Sequence, residues 1–309
     1  MRALKFLKFL VLVGLLMKNH EVSGQDSSIN ANTRNKWLLG SVQAGFWAGS
    51  FYTLNKAWYA NYPKESFHFY NDWKEWQQMD KAGHVWSAYQ LSRLSGSLWQ
   101  AAGTKKKSAA WIGSLTGMGY MSVIEILDGY SEKWGFSSYD ILGNTAGASA
   151  YLIQELVWKE QRISFKLSYF PVSYGSLQAR ANNLFGSGDV EKLLKDYNGQ
   201  TYWASINMRS FFPNSKIPKW LNLAIGYGAR TMLGGYENKW LDENGNMVYQ
   251  SDIPRYKRLQ LSLDLDLTRI PTKSRFLKTI FSMANVLKIP APSIEWNSKS
   301  QLKFHPVFY

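Results

Sequence analysis

Five leucines at every second position, Leu259, Leu261, Leu263, Leu265 and Leu267, alternate with Arg258, Gln260, Ser262, Asp264 and Asp266. Successive side chains of a strand point to opposite faces, so this stretch reads as a strand with one apolar and one polar face. The same period recurs in Ile163, Phe165, Leu167 and Tyr169, and in Leu221, Leu223, Ile225 and Tyr227. Weaker strands are expected over 202–211 and 302–309, and turn chemistry at Asp242-Glu243-Asn244-Gly245-Asn246. Two short helices are expected near Val190–Tyr197 and Arg275–Leu287. Residues 163–309 therefore form an antiparallel β region of about five recognisable strands. A single-chain bacterial barrel needs at least about eight strands, so an open or helix-covered sheet is expected, its apolar face on the bundle or in lipid.

Before residue 163 the character is different. Four weakly polar stretches read as helices: Trp37 to Leu54, Trp73 to Trp99, Ser108 to Tyr130 and Tyr139 to Trp158. Ser138 is the expected N-cap of the last. Each is close to the length a bilayer asks for, and small residues such as Gly113-x-x-x-Gly117 permit close helix contact. A membrane bundle and a tight soluble bundle both fit. The fold class is α+β: an N-terminal bundle of about four apolar helices, residues 25–162, followed by the membrane-associated β region 163–309.

The first residues carry Arg2, Lys5 and Lys8, then an apolar run from Phe9 to Met17, then Val22-Ser23-Gly24. That is the layout of a secretory signal peptide over 1–24, an uncleaved anchor being the other reading. Export to the periplasm or outer membrane of a Gram-negative bacterium is expected. The chain contains no cysteine, which excludes disulfides, thiolate metal sites and a lipid on an N-terminal Cys. Residues 25–162 hold 13 basic and 11 acidic residues, whereas 163–309 hold 19 and 10. For an exported chain the excess suggests membrane lipid or an envelope glycan as partner and not nucleic acid. With 14 Trp and 18 Tyr, the chain is also rich in the residues that collect at membrane interfaces.

Three short motifs place polar groups on apolar helices: Asp80-Lys81-x-x-His84, Glu125-x-x-Asp128, and Asp140-x-x-x-Asn144-x-x-Gly147. Members of each share a helix face. Ionisable groups on apolar helices are costly unless they meet one another, so one buried polar cluster is expected. Three chemistries fit it. Asp80, His84, Glu125 and Asp128, with Asp140, could hold a divalent cation, Mg, Mn or Ca rather than Zn. His84 could act as a general base oriented by Asp80 or Asp128, with Lys81 or Arg93 steadying an anionic substrate, which would make the chain a hydrolase of an envelope lipid or glycan. Or the groups could be a structural network that sets helix register. No G-x-S-x-G or Cys nucleophile motif is present. The leading reading is a structural or ligand-binding envelope protein, with catalysis left open.

These motifs, with Ser137-Ser138-Tyr139 ahead of Asp140, resemble the predicted periplasmic lipoprotein family typified by YfiM and, more distantly, the VanZ-like membrane proteins. The resemblance covers residues 75–158 and implies a location and a helical fold. It implies no reaction, because the family has no established activity.

Overall fold

The computed structural model describes residues 25–55, 59, 62–242 and 244–308. The expected signal segment 1–24 and the terminal Tyr309 lie outside the described residues. The chain divides into two compact units. One comprises Met1–Asn71 and Ser87–Glu160, the other Asp72–Trp86 and Gln161–Tyr309. The architecture is α+β, with helices first and an antiparallel sheet of six strands after them.

The helices of the first unit are α1 (Gln25–Leu54), the part of α2 (Met79–Ala101) from Ser87 onward, α3 (Lys106–Asp128) and α4 (Ser138–Val157). Helix α1 begins at Gln25, ahead of the start expected at Trp37. Gln43 of α1 ties three helices together: its Nε2 donates to Thr116 Oγ1 (3.2 Å), and its Oε1 accepts from Trp99 Nε1 (3.2 Å) and Ser95 Oγ (3.4 Å). Small residues set the approach of α2 to α3. A Cβ on Gly113 would lie 2.5 Å from Ser92 O and 2.8 Å from Gly96 Cα, and one on Gly117 would lie 2.6 Å from Ala88 O. Any side chain there would force the helices apart. Among the described residues, α3 is the helix long and apolar enough to cross a membrane by length and composition. Leu115, Ile126, Leu142, Ile153 and Val157 of α3 and α4 are exposed.

The second unit is built on a meander of β1 (Ile163–Tyr169), β2 (Gln200–Asn207), β3 (Leu221–Arg230), β6 (Tyr256–Leu265), β7 (Ala291–Asn297) and β8 (Leu302–Phe308), each antiparallel to the next. A separate hairpin, β4 (Lys239–Leu241) with β5 (Met247–Tyr249), carries the turn expected at 242–246. Strand β7 was not legible in the sequence. Pro292 interrupts its pattern and lies at a register shift between Ala291 and Ser293, where the irregular pairing tolerates the missing N–H. Short helices α5 (Gln178–Phe185), α6 (Asp189–Lys195), α7 (Met208–Phe211) and α8 (Arg275–Ala284) fill the connections. The two short helices expected near 190–197 and 275–287 correspond to α6, shifted by a residue and ending earlier, and to α8, which ends at Ala284.

Register fixes which residues share a face. Leu167, Tyr202, Tyr227, Leu259, Trp296 and Leu302 form one row across the sheet, and Phe165, Ala204, Ile225, Leu261, Ile294 and Phe304 the next. The apolar face is the outer one. Leu259, Leu261 and Leu263 are 45–48% exposed, whereas Arg258, Gln260, Ser262 and Asp264 between them are at most 3% exposed. The sheet curls tightly enough for its polar faces to meet. Lys166 Nζ of β1 lies 2.8 Å from Asp264 Oδ2 and donates to Leu265 O of β6 (2.7 Å). Trp203 of β2 and Phe308 of β8 make an edge-on ring contact at 6.0 Å.

The interior is a hydrogen-bonded network. Asp264 also accepts from Ser205 Oγ (2.6 Å) and Ile289 N (3.0 Å), Ser205 Oγ accepts from Asn222 Nδ2 (2.8 Å), and Asn222 Oδ1 accepts from Asn207 Nδ2 (2.7 Å). Further along, Glu295 Oε2 lies 3.5 Å from Arg258 Nη1, 3.2 Å from Gln260 Nε2 and 3.2 Å from His305 Nε2. On its other edge β1 is covered by the segment after α8: Leu167 N donates to Val286 O (3.0 Å) and Lys288 N donates to Leu167 O (2.9 Å).

Candidate functional site

The expected site residues are shared between the two units. In the second unit the chain enters α2 through a tight 3-10 turn, Glu75–Gln78. Trp76, Gln77 and Gln78 are all left-handed, with φ of 47°, 54° and 60°, a conformation that costs a non-glycine residue about 1 kcal/mol or more. Surrounding bonds hold it. Trp76 N donates to Gly235 O (2.7 Å), Gln78 Nε2 donates to Trp73 O (2.7 Å), Tyr227 Oη donates to Gln77 O, and Lys257 Nζ donates to Gln78 Oε1. Below it Met79 is fully buried with Ala229 and Met232, ringed by Trp76, Tyr197, Tyr202 and Tyr227.

Asp80 and His84 follow one turn apart on α2, with His84 Nε2 3.7 Å from Asp80 Oδ1. The same Oδ1 accepts from Tyr197 Oη (2.7 Å), and Oδ2 accepts from Lys81 Nζ (3.1 Å). Lys81 is buried and also donates to the buried Asp72. Gly83 lets this turn approach β2, since a Cβ there would lie 2.9 Å from Tyr202 Oη. Burial opposes the Asp80 charge, but His84, Lys81 and the Tyr197 hydroxyl outweigh it and hold the carboxyl well below the usual range. Asp80 is thus an ionised hydrogen-bond acceptor at neutral pH and a weak base. Glu75 behaves in the opposite way. Burial, reinforced by Asp80 and Asp72, pushes its carboxyl up to about 7. Two acids with diverging affinities for a proton stand in one cluster. Where the start of α2 lies over the outward face of the sheet, Ala82, Val85, Trp86, Tyr202, Ile225 and Leu259 line an apolar groove of about 330 Å³.

In the first unit, Glu125, 1% exposed, accepts from Ser137 N (3.3 Å), and Ser137 Oγ accepts from Asp140 N (3.2 Å). The N-cap of α4 is therefore Ser137, one residue before the expected Ser138. With Ser137 extended at the cap, Asp140 is the third helical residue, whose N–H the cap satisfies. Asp140 and Asn144 are buried one turn apart. Asp128 Oδ1 accepts from Tyr59 Oη (2.6 Å), and Tyr59 and Tyr62 both pack edge-on to Trp134. A pocket of about 340 Å³ beside it is lined by Tyr59, Tyr62, Leu127 and Tyr130. Arg93 Nε donates to Gln90 Oε1 (3.0 Å) on its own helix.

Within the second unit Asp80 meets Lys81 and His84, and within the first Ser137 meets Glu125 and Asp140. Sequence reasoning missed Asp72, Glu75 and Tyr197. An acid between Trp73 and Trp76 was a usable signal for Glu75. Tyr197 carried none, being 117 residues from its partner.

No curated protein and no solved structure matches the chain. A family model does match a part of it, and that part contains all three polar motifs. Residues 68–155 match the family described as "Predicted periplasmic lipoprotein (DUF2279)".

Proposed function

We propose that this chain is a cell-envelope protein of Gram-negative bacteria whose β unit rests in the lipid of the outer membrane. The polar cluster at the start of α2 serves there as a structural clamp. One observation carries the membrane reading: the sheet is inverted, with its leucine rows exposed and its charged rows buried. In water an exposed apolar face of this extent is unfavourable by about 25 cal/mol per Å². In lipid the same face is at home, and a polar interior is what a membrane sheet encloses. The clamp reading rests on Lys81, buried between Asp72 and Asp80, and on the strained turn beside it. A second reading, acid–base or cation chemistry at Asp80 and His84, is favoured by the Glu75 carboxyl titrating near neutrality next to an ionised Asp80.

The absence of cysteine makes the membrane reading testable. Leu261→Cys lies mid-strand on the outer face, and Asn244→Cys lies in the β4–β5 turn. In washed membranes Leu261→Cys is expected to react with a lipid-soluble maleimide and not with a charged one, and Asn244→Cys with the charged reagent. Full reactivity of Leu261→Cys toward the charged reagent would refute the lipid-embedded face.

A further inference from the structure

The charge of the β unit is concentrated at one end of the sheet. The meander sends the β2–β3 and β6–β7 connections to the end where β1 begins and β8 finishes. The other connections, β1–β2, β3–β6 and β7–β8, emerge at the opposite end. Residues 208–220 and 266–290, at the first end, hold eight basic residues against one acid. Residues 170–199, 231–255 and 298–301, at the second, hold six against seven. The one acid of the basic end, Asp266, is occupied by Arg269 Nε (3.0 Å) and by Thr268.

This end is a fixed surface. Asp266 N donates to Trp220 O (2.8 Å), joining the two connections, and Asn207 Nδ2 donates to Lys219 O (2.7 Å). Leu267 N donates to Asn285 Oδ1 (3.0 Å) and so ties the far end of α8 back to the sheet. Exposed aromatics lie among the exposed cations. Phe211, Phe212 and Trp220 flank Lys216 and Lys219, and Phe276 with Leu277 of α8 flank Lys273 and Lys278. Helix α8 carries Ile280 and Phe281 half-buried, while Phe276 is 62% exposed. Exposed rings beside lysines, on a short amphipathic helix, are the chemistry of an element lying in a bilayer interface.

We propose that this basic, aromatic end of the β unit docks on anionic phospholipid headgroups of the bilayer that the sheet enters. The proposal rests on the lipid-embedded reading above and adds the lipid class and the end that contacts it. Charge complementarity selects the occupant: with Lys288 buried and Arg269 paired to Asp266, six further basic residues stand in these two connections with no other acid, which favours a surface of phosphates, and the rings favour an interface over a soluble polyanion.

The test uses the full chain, diluted from detergent into vesicles of phosphatidylcholine alone or with about a third phosphatidylglycerol, and separated by flotation. Wild type is expected to partition roughly tenfold or more better into the anionic vesicles, and the increment should vanish in high salt. Reversing Lys216, Lys219, Lys273 and Lys278 to Glu should abolish the increment and leave partition into phosphatidylcholine unchanged. Reversing Lys192, Lys195, Lys239 and Lys299 at the opposite end should preserve it. If the Glu variant fails to fold, the Gln set at the same four positions gives the same reading. An increment that survives at the basic end, or is lost equally from either end, overturns the proposal while leaving the embedded face intact. Failure of wild type to float with either vesicle overturns both.

Discussion

Replacing Lys166 with Met removes the cation at the centre of the sheet's interior while keeping the length of the side chain. Lys166 and Asp264 are both fully buried and 2.8 Å apart. At an effective dielectric of about 20 their attraction is roughly 6 kcal/mol, most of it offset by the cost of taking both charges out of water. The variant leaves the Asp264 carboxylate hydrogen-bonded to Ser205 Oγ and Ile289 N, with the Lys288 ammonium nearby but no longer the direct Lys166 partner. Breaking a buried pair in this way costs about 3–5 kcal/mol. Adding Asp264→Leu removes the stranded charge and leaves the Ser205 and Ile289 donors without their acceptor, a cost of about 1–3 kcal/mol. The double variant should therefore be more stable than Lys166→Met alone. Urea unfolding in a fixed concentration of mild detergent, followed by near-UV circular dichroism, measures all three. A loss below about 1 kcal/mol for Lys166→Met, or additive effects of the two substitutions, would mean that water reaches the pair and that the interior is not closed.

The clamp at the start of α2 gives two further expectations. The Glu75 carboxyl is raised from 4.5 to about 7, so its folded-state proton stabilises at low pH and that stability is lost as pH rises between those values. Glu75→Gln should match wild type near pH 4 and exceed it by about 1–2 kcal/mol near pH 8, the full shift being discounted for partial exposure. Melting temperatures of the two proteins that run parallel from pH 4 to 8 would refute the assignment. For His84→Ala, Asp80 keeps its Lys81 and Tyr197 partners, so a loss of about 1–2 kcal/mol is expected, with no effect of EDTA on either protein. A fall in the wild-type melting temperature alone on adding EDTA would reveal a bound cation and favour the second reading.

The sequence determined the fold class and most of the elements. Leucines at period two cannot form a helix face, and the weakly polar stretches that contain α2, α3 and α4 are too long for strands. It also determined that the apolar and polar residues of β6 lie on opposite faces. It could not say which face is inside, because a period of two is the same for either choice. That was decided by the curl of the sheet, which brings Lys166 onto Asp264 and leaves the leucines outside. The local motif Asp80-Lys81-x-x-His84 was visible for the same reason as the helices. Its partners Asp72, Glu75 and Tyr197 were not, because a hydrogen bond across 117 residues follows from the path of the chain and from no local pattern.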